Sequence, residues 1–215
     1  MLYLSRLTLN PYNPGVRSDL AAPYRLHQTL MRGVDGQARE SRLLFRLEPE
    51  APAEAPILLV QTQTLPNWDS LLKNGYLRRA DGPKALNPES IQQQMYRFRL
   101  MANPVKKVRK DGKNHSVRVP LKRARYSEEE FKAEGKIGYL QWLERQGNNR
   151  GFKVANVTDM PKAAQPTKGK GKHFGVLFDG FLQVTDAEKV QQALTDGIGP
   201  AKAFGFGLLS LAPAH

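Results

Sequence analysis

One order of elements, read twice along the chain, limits the fold more than any other feature: strand, helix, strand, strand, helix, strand. The second copy is the more legible. Residues 95–104, MYRFRLMANP, set Tyr96, Phe98, Leu100 and Ala102 opposite Arg97, Arg99 and Met101, the period of a half-buried strand. IGYLQWLERQG (137–147) lines Ile137, Leu140 and Leu143 along one helical stripe and is expected to stop at Gly147. FKVANVT (152–158) and FGVLFDGFLQV (174–184) read as strands. TDAEKVQQALTDG (185–197) reads as a helix opened by a Thr185-x-x-Glu188 capping box and closed by Gly197, before a last strand, AFGFGLLSLAP (203–213).

The first copy begins with a strand, LYLSRLTL (2–9), a loop, and a helix, PYRLHQTLMRG (23–33), with Pro23 in its first turn and Gly33 at its end. RLLFRLE (42–48) alternates, with Leu43, Phe45 and Leu47 on one face and Arg42, Arg46 and Glu48 on the other. PILLVQTQT (56–64) is a strand and NWDSLL (67–72) a short helix; the region to Pro88 is loop-rich with one edge strand. The expected architecture is therefore α+β, with two tandem ferredoxin-like βαββαβ domains at 1–90 and 91–215. Four strands backed by two helices is also the RRM plan.

Charge narrows the partner. The 215 residues carry 33 basic and 20 acidic side chains, a net +13, which suits a polyanion, above all nucleic acid. No apolar run approaches the ~20 residues of a spanning helix, and MLYLSRLTLN is not a signal peptide. No membrane partner is expected, and the default location is the cytoplasm. The chain has no cysteine, which removes disulfides, thiol nucleophiles and Cys-bound zinc. The histidines form no metal set, so no metal or other cofactor is expected.

Two segments fall outside the repeated order. Between Arg97 and Arg125 lie eleven basic residues, among them Lys106, Lys107, Arg109, Lys110, Lys113, Arg118, Lys122 and Arg123, opposed only by Asp111. MPKAAQPTKGKGK (160–172) adds Lys168, Lys170 and Lys172. Each reads as a solvated loop, yet such charge suits the phosphates of an RNA stem, whose deep, narrow groove favours recognition by shape and backbone. His115 and His173 sit in these basic loops, where phosphate contact or solvation accounts for them.

Tyr24 and His27, three apart on the first helix, share a face, while Leu26 and Leu30 form its buried stripe. Arg32 follows about a turn and a half later. An imidazole near pKa ~6.5 can give or take a proton at neutral pH. Taken alone, such a pair more often serves structure. RNA, however, carries its own 2′-hydroxyl nucleophile, so a His, a Tyr and a cation suffice to cut it without a metal. The glycine-rich GIGPAKAFGFGLL (197–209) is neither a dinucleotide fingerprint nor a Walker loop. There Gly197 caps a helix, Gly199 turns with Pro200, and Gly205 and Gly207 admit a close backbone or phosphate, with Lys202 supplying charge.

The pattern Gly-Ile-Gly, five residues, Gly-Phe-Gly, running into LLSLAP, resembles the C-terminal signature of CRISPR repeat-processing endoribonucleases. LYLSRLTLNP, DLAAPYRLHQTL, and RFRLMANPVK followed by VRVPL narrow the resemblance to CasE-type members, subunits of the type I-E Cascade complex. It covers nearly the whole chain and implies two ferredoxin-like domains. It further implies metal-independent cleavage of precursor CRISPR RNA at the base of the repeat hairpin, leaving 5′-hydroxyl and 2′,3′-cyclic phosphate ends. The product hairpin would stay bound within Cascade, beside the other subunits. By the same resemblance His27 matches the catalytic histidine, Tyr24 its tyrosine, and Arg32 stands where some relatives have lysine. Segments 105–125 and 168–172 fall where the stem is gripped, and the isolated chain is expected to be a monomer. The stretch from Lys122 to Lys136 is longer than usual for the family. The rival reading is a non-catalytic subunit that clamps an RNA stem.

Overall fold

The computed structural model describes residues 1–34, 42–110, 112–119, 127, 129–130, 137–161, 165–166 and 172–214. The first half runs β1 (Leu2–Leu9), α1 (Pro14–Leu20), α2 (Pro23–Leu30), β2 (Leu44–Leu47), β3 (Ile57–Thr62), α3 (Asp69–Lys73) and β4 (Leu77–Leu86). Its four strands form one antiparallel sheet in the order β2-β3-β1-β4. The second half contains β5 (Met95–Ala102), a hairpin of β6 (Val105–Lys110) and β7 (Lys113–Arg118), and α4 (Tyr139–Asn149). It continues through β8 (Phe152–Pro161), the short pair β9 (Gln165–Pro166) and β10 (Lys172–His173), β11 (Val176–Val184), α5 (Ala187–Asp196) and β12 (Leu209–Pro213). Its sheet order is β12-β5-β11-β8, so in both halves the first and third strands lie at the centre. Two tandem ferredoxin-like folds result, the architecture expected from the repeated order. No helix among the described residues is long and apolar enough to cross a membrane.

Each sheet buries one face under its own helices. In the first half Leu26 and Leu30 of α2 pack with Leu7, Phe45, Val60 and Trp68. In the second, Phe98, Leu100, Phe178 and Leu182 meet Leu140 and Leu143 of α4 and Val190 of α5.

Several local readings are corrected. The segment before α2 is a helix, α1, capped by Asn13, whose side chain accepts from the Gly15 N–H, where a loop was expected. The edge strand expected before Pro88 is present as β4, but its ten residues fill most of a region read as loop-rich. Helix α4 runs past Gly147 to Asn149. That glycine is there for space, since a Cβ would meet the Phe152 carbonyl oxygen at 2.6 Å. Helix α5 is capped by Asp186, which accepts from the Lys189 N–H, not by Thr185; Gly197 does close it, at φ 74°. The last strand begins only at Leu209, and Lys202–Phe204 is a 3-10 turn.

The largest departure is on β2. Alternation put Leu47 inside and Arg46 outside, yet Leu47 is 39 % exposed and Arg46 only 2 %. The face of β2 away from the helices is covered by the second half, so both faces are buried and a period-two pattern cannot hold. Arg46 Nε and Nη2 donate to Glu48 Oε1 at 3.0 and 2.8 Å. Its Nη1 donates to the carbonyls of Arg99 and Leu208, both at 3.2 Å, and Nη2 also to Ser210 Oγ at 3.1 Å. All five N–H donors of the guanidinium thus have acceptors. Burial lowers the Arg46 pKa, and Glu48 opposes that shift. Glu48 also accepts from Arg99, which donates to Glu50 and Asp179.

Removing one partner of such a network strands the others. Arg46→Met is expected to cost about 3 kcal/mol, read as a lower midpoint of urea unfolding.

Candidate active site and nucleic-acid interface

Helix α2 has no side-chain cap; Ala22 precedes it and Pro23 occupies its first turn, where the fixed φ of proline suits the start of a helix. It does not end on Gly33 as a left-handed cap. It tightens into a 3-10 turn, Met31–Gly33, and a Cβ on Gly33 would meet the Trp68 ring at 2.4 Å. The expected stripe of Leu26 and Leu30 is buried, leaving Tyr24 38 % exposed and His27 half-buried at the surface.

The His27 ring lies near-parallel to Phe45 of β2, centroids 6.3 Å apart, and 6.4 Å from the Tyr24 ring. Its Nδ1 is buried, with no hydrogen-bond partner among the described residues. Burial lowers its pKa from 6.5, because a cation there would forgo water. The imidazole is therefore predominantly neutral at pH 7 and able to accept a proton. Arg32 is exposed on the 3-10 turn, and its charge acts on the Tyr76 hydroxyl. Tyr76 and Thr29 both donate to the buried Asp19 carboxylate, at 2.9 and 2.6 Å, which fixes α2 against α1 and β4.

The second half completes the surroundings of α2 through its glycine-rich loop. Gly197, Gly199, Gly205 and Gly207 all have positive φ. The close approach anticipated for Gly207 is to backbone: its N–H donates to the Met101 carbonyl, and a Cβ would sit 2.9 Å from the Ile198 oxygen. Gly205 faces the Phe45 ring. Between left-handed Ala201 and Gly205 stands Phe204, its ring 5.8 Å from Tyr24 and 4.5 Å from His173. Lys202 in the same turn has its pKa lowered by burial and by Arg42 nearby, against the pull of Asp196. Arg42 in turn donates to the Asp196 carboxylate across the two halves.

His173 is not simply solvated. Its Nδ1 lies 3.1 Å from the Asn103 amide and its ring is edge-on to Phe204. The next residue, Phe174, carries the Arg118 guanidinium over its ring at 3.9 Å. Trp142 Nε1 donates to the Val105 carbonyl at 3.1 Å. These contacts root the β6–β7 hairpin beside the junction that holds His27 and Tyr24.

The basic run read as a loop is therefore a two-stranded hairpin through residue 118. Lys107, Arg109 and Arg118 share one face, paired with Ser116, Asn114 and Val105, and all three cations are exposed. Lys106 and Lys113 stand on the other face, Lys106 half-buried, with Lys110 at the end of β6 opposite Lys113. Lys172 begins β10, whereas Lys122, Arg123, Arg125, Lys168 and Lys170 lie outside the described residues. Sequence reasoning missed Phe45, Phe204 and Asn103. The Asp-Gly pair offered a signal for the hairpin, being a common two-residue turn sequence, and Gly112 has φ 73°. Among the described residues no group of three or more His, Asp or Glu could hold a metal ion.

A family model described as "CRISPR associated protein" matches residues 2–213. The chain is 37 % identical to the CRISPR-associated endoribonuclease Cse3 of Thermus thermophilus, covering 99 % of this chain and all of that one. It is 28 % identical to the Cascade subunit CasE of Escherichia coli, over 88 % of this chain and 92 % of that one. In structure it is similar to Thermus thermophilus Cse3 bound to an RNA representing a pre-cleavage complex, with a TM-score of 0.81, 37 % identity and 99 % of each chain covered. Cas6e of Escherichia coli superposes at a TM-score of 0.66, with 28 % identity, 99 % of this chain and 100 % of that one covered. The chain belongs to the CRISPR-associated protein family.

Proposed function

We propose that this protein is a metal-independent endoribonuclease that cuts precursor CRISPR RNA at the base of each repeat hairpin and stays bound to the product hairpin within Cascade. It works in the cytoplasm with the other Cascade subunits. Residues 1–90 supply the catalytic helix, and 91–215 the stem-gripping hairpin and glycine-rich loop. The carrying observation is the His27 imidazole, held neutral by burial, beside Tyr24 and linked through Phe204 and His173 to the root of the cationic hairpin. Relatives named endoribonuclease and Cascade subunit support the same reading.

In this reading the stem lies along β6 and β7, with its phosphates on Lys107, Arg109 and Arg118. Lys106, Lys110, Lys113 and Lys172 add to the same field, as do Lys122, Arg123, Arg125, Lys168 and Lys170. The nucleotide at the stem base then reaches α2. His27 takes the proton of the 2′-hydroxyl as that oxygen attacks the adjacent phosphorus. Breaking the P–O5′ bond leaves a 2′,3′-cyclic phosphate and, once protonated, a 5′-hydroxyl. The Tyr24 hydroxyl donates to a non-bridging phosphate oxygen, and Arg32 and Lys202 offset the charge of the phosphorane.

His27→Ala is expected to bind a labelled repeat hairpin as the unaltered protein does but to cut it at least a hundredfold more slowly, with EDTA leaving wild-type cleavage unchanged. A shift without a cut in the wild type would instead indicate an RNA clamp. Because the folded-state pKa of His27 lies below 6.5, cleavage should hold from neutral pH down to about 6.5 and fall only below it, as the base is protonated. The unfolded chain takes that proton more readily, so the same shift should lower stability as pH falls from 6.5 through the folded value. Lys107→Ala with Arg109→Ala should weaken hairpin binding and flatten its salt dependence by roughly 0.7–0.9 for each phosphate left without its cation.

A further inference from the structure

The open face of the second sheet carries an aromatic side chain that the site above does not use. On β11, Val176, Phe178, Leu182 and Val184 are buried in the core, and the alternate residues Asp179 and Phe181 lie on the opposite face. Phe181 is 39 % exposed there, although covering a phenylalanine ring is favourable. Its cross-strand neighbours are Arg97 on β5 and Asn156 on β8. One row along, Gln183 stands between Met95 and Lys153; one row back, Asp179 stands between Arg99 and Thr158. Arg97, Asn156, Thr158, Asp179 and Phe181 border a cavity of about 430 Å³, room for a nucleotide.

The chemistry of this surface is mixed in a particular way. An apolar protein partner would call for several aliphatic neighbours around the ring, but beside Met95 the ring is framed by a guanidinium, an amide, a hydroxyl and an ammonium. A nucleobase uses each of these: its π-face stacks on an aromatic ring, its edge exchanges hydrogen bonds with an amide or hydroxyl, and its phosphate meets a cation. Arg97 is available for that last role. Both its hydrogen bonds to Asp179 Oδ1 are long, 3.4 Å, and its side chain is 61 % exposed. Arg99, by contrast, is held by Glu48, Glu50 and Asp179, which keeps Asp179 neutralised when Arg97 turns away.

We propose that this open face is a binding site for single-stranded RNA, stacking one base on Phe181 and taking its phosphate on Arg97 and Lys153. The proposal rests on reading the chain as an RNA-processing enzyme and adds a place for unpaired RNA, apart from the β6–β7 hairpin and from His27.

The test uses the full chain and fluorescently labelled hexa-adenylate at near-physiological salt, followed by anisotropy. Phe181→Ala should bind the oligonucleotide about tenfold more weakly, the scale of removing one base stack, and Phe181→Trp should restore binding with quenched tryptophan emission on addition of RNA. Cleavage of the repeat hairpin, measured on the same samples, should be unchanged in both variants. Equal hexa-adenylate binding by Phe181→Ala and wild type would overturn the proposal, as would no binding by the wild type. A Phe181→Ala protein that binds hexa-adenylate normally but fails to join the other Cascade subunits would overturn it too, assigning the face to a protein partner. Hairpin cleavage reports on the enzyme assignment separately: a wild type that binds hexa-adenylate through Phe181 yet cuts no hairpin would lose the nuclease reading and keep this one.

Discussion

A guanidinium removed from water governs how the two halves meet. Arg46 leaves β2 of the first sheet and ends among acceptors drawn mostly from the second: the carbonyls of Arg99 and Leu208 and the hydroxyl of Ser210. Desolvating a charge costs several kcal/mol unless its donors are satisfied in good geometry, so the sheets have little freedom to slide while Arg46 stays charged. Glu48 and Arg99 extend this tie to Asp179 on β11. A separate tie, from Arg42 to Asp196, joins the start of β2 to the end of α5. Between them the glycine-rich loop is brought against α2 and the Phe45 ring, and the surroundings of His27 are set.

The state of His27 follows from the rings packed nearest to it. Its ring lies on Phe45, near Tyr24, with Nδ1 shut away from solvent. An aromatic wall lowers local polarity, and a less polar wall disfavours the imidazolium. The state of the histidine thus depends on the packing of α2 against β2 within the first half, and the second half adds Phe204 beside Tyr24.

The fold was legible because core periodicity is local. The pattern of Tyr96, Phe98, Leu100 and Ala102 gave β5, and Leu26 with Leu30 oriented α2 and so placed Tyr24 and His27 at the surface. What was misread depends on contacts between the halves. Arg46 looked like a solvent-facing arginine, because nothing within RLLFRLE tells that another sheet covers it. Phe204 looked like part of a strand, because Ala201 at φ 64° and Gly205 at φ 84° bend the chain into a turn that only the packed loop makes worthwhile. The β6–β7 hairpin was a different failure: charge density suggested a loop and outweighed an Asp-Gly turn that was there to be read.

Phe204 belongs to one half and Tyr24 to the other, yet their rings are neighbours. Neither ferredoxin unit, expressed alone, would present this pair of rings together, however well it folded. The proposed site is therefore a property of the seam, and a force or ligand that parts the sheets by a few ångströms would take it apart while both cores stayed intact.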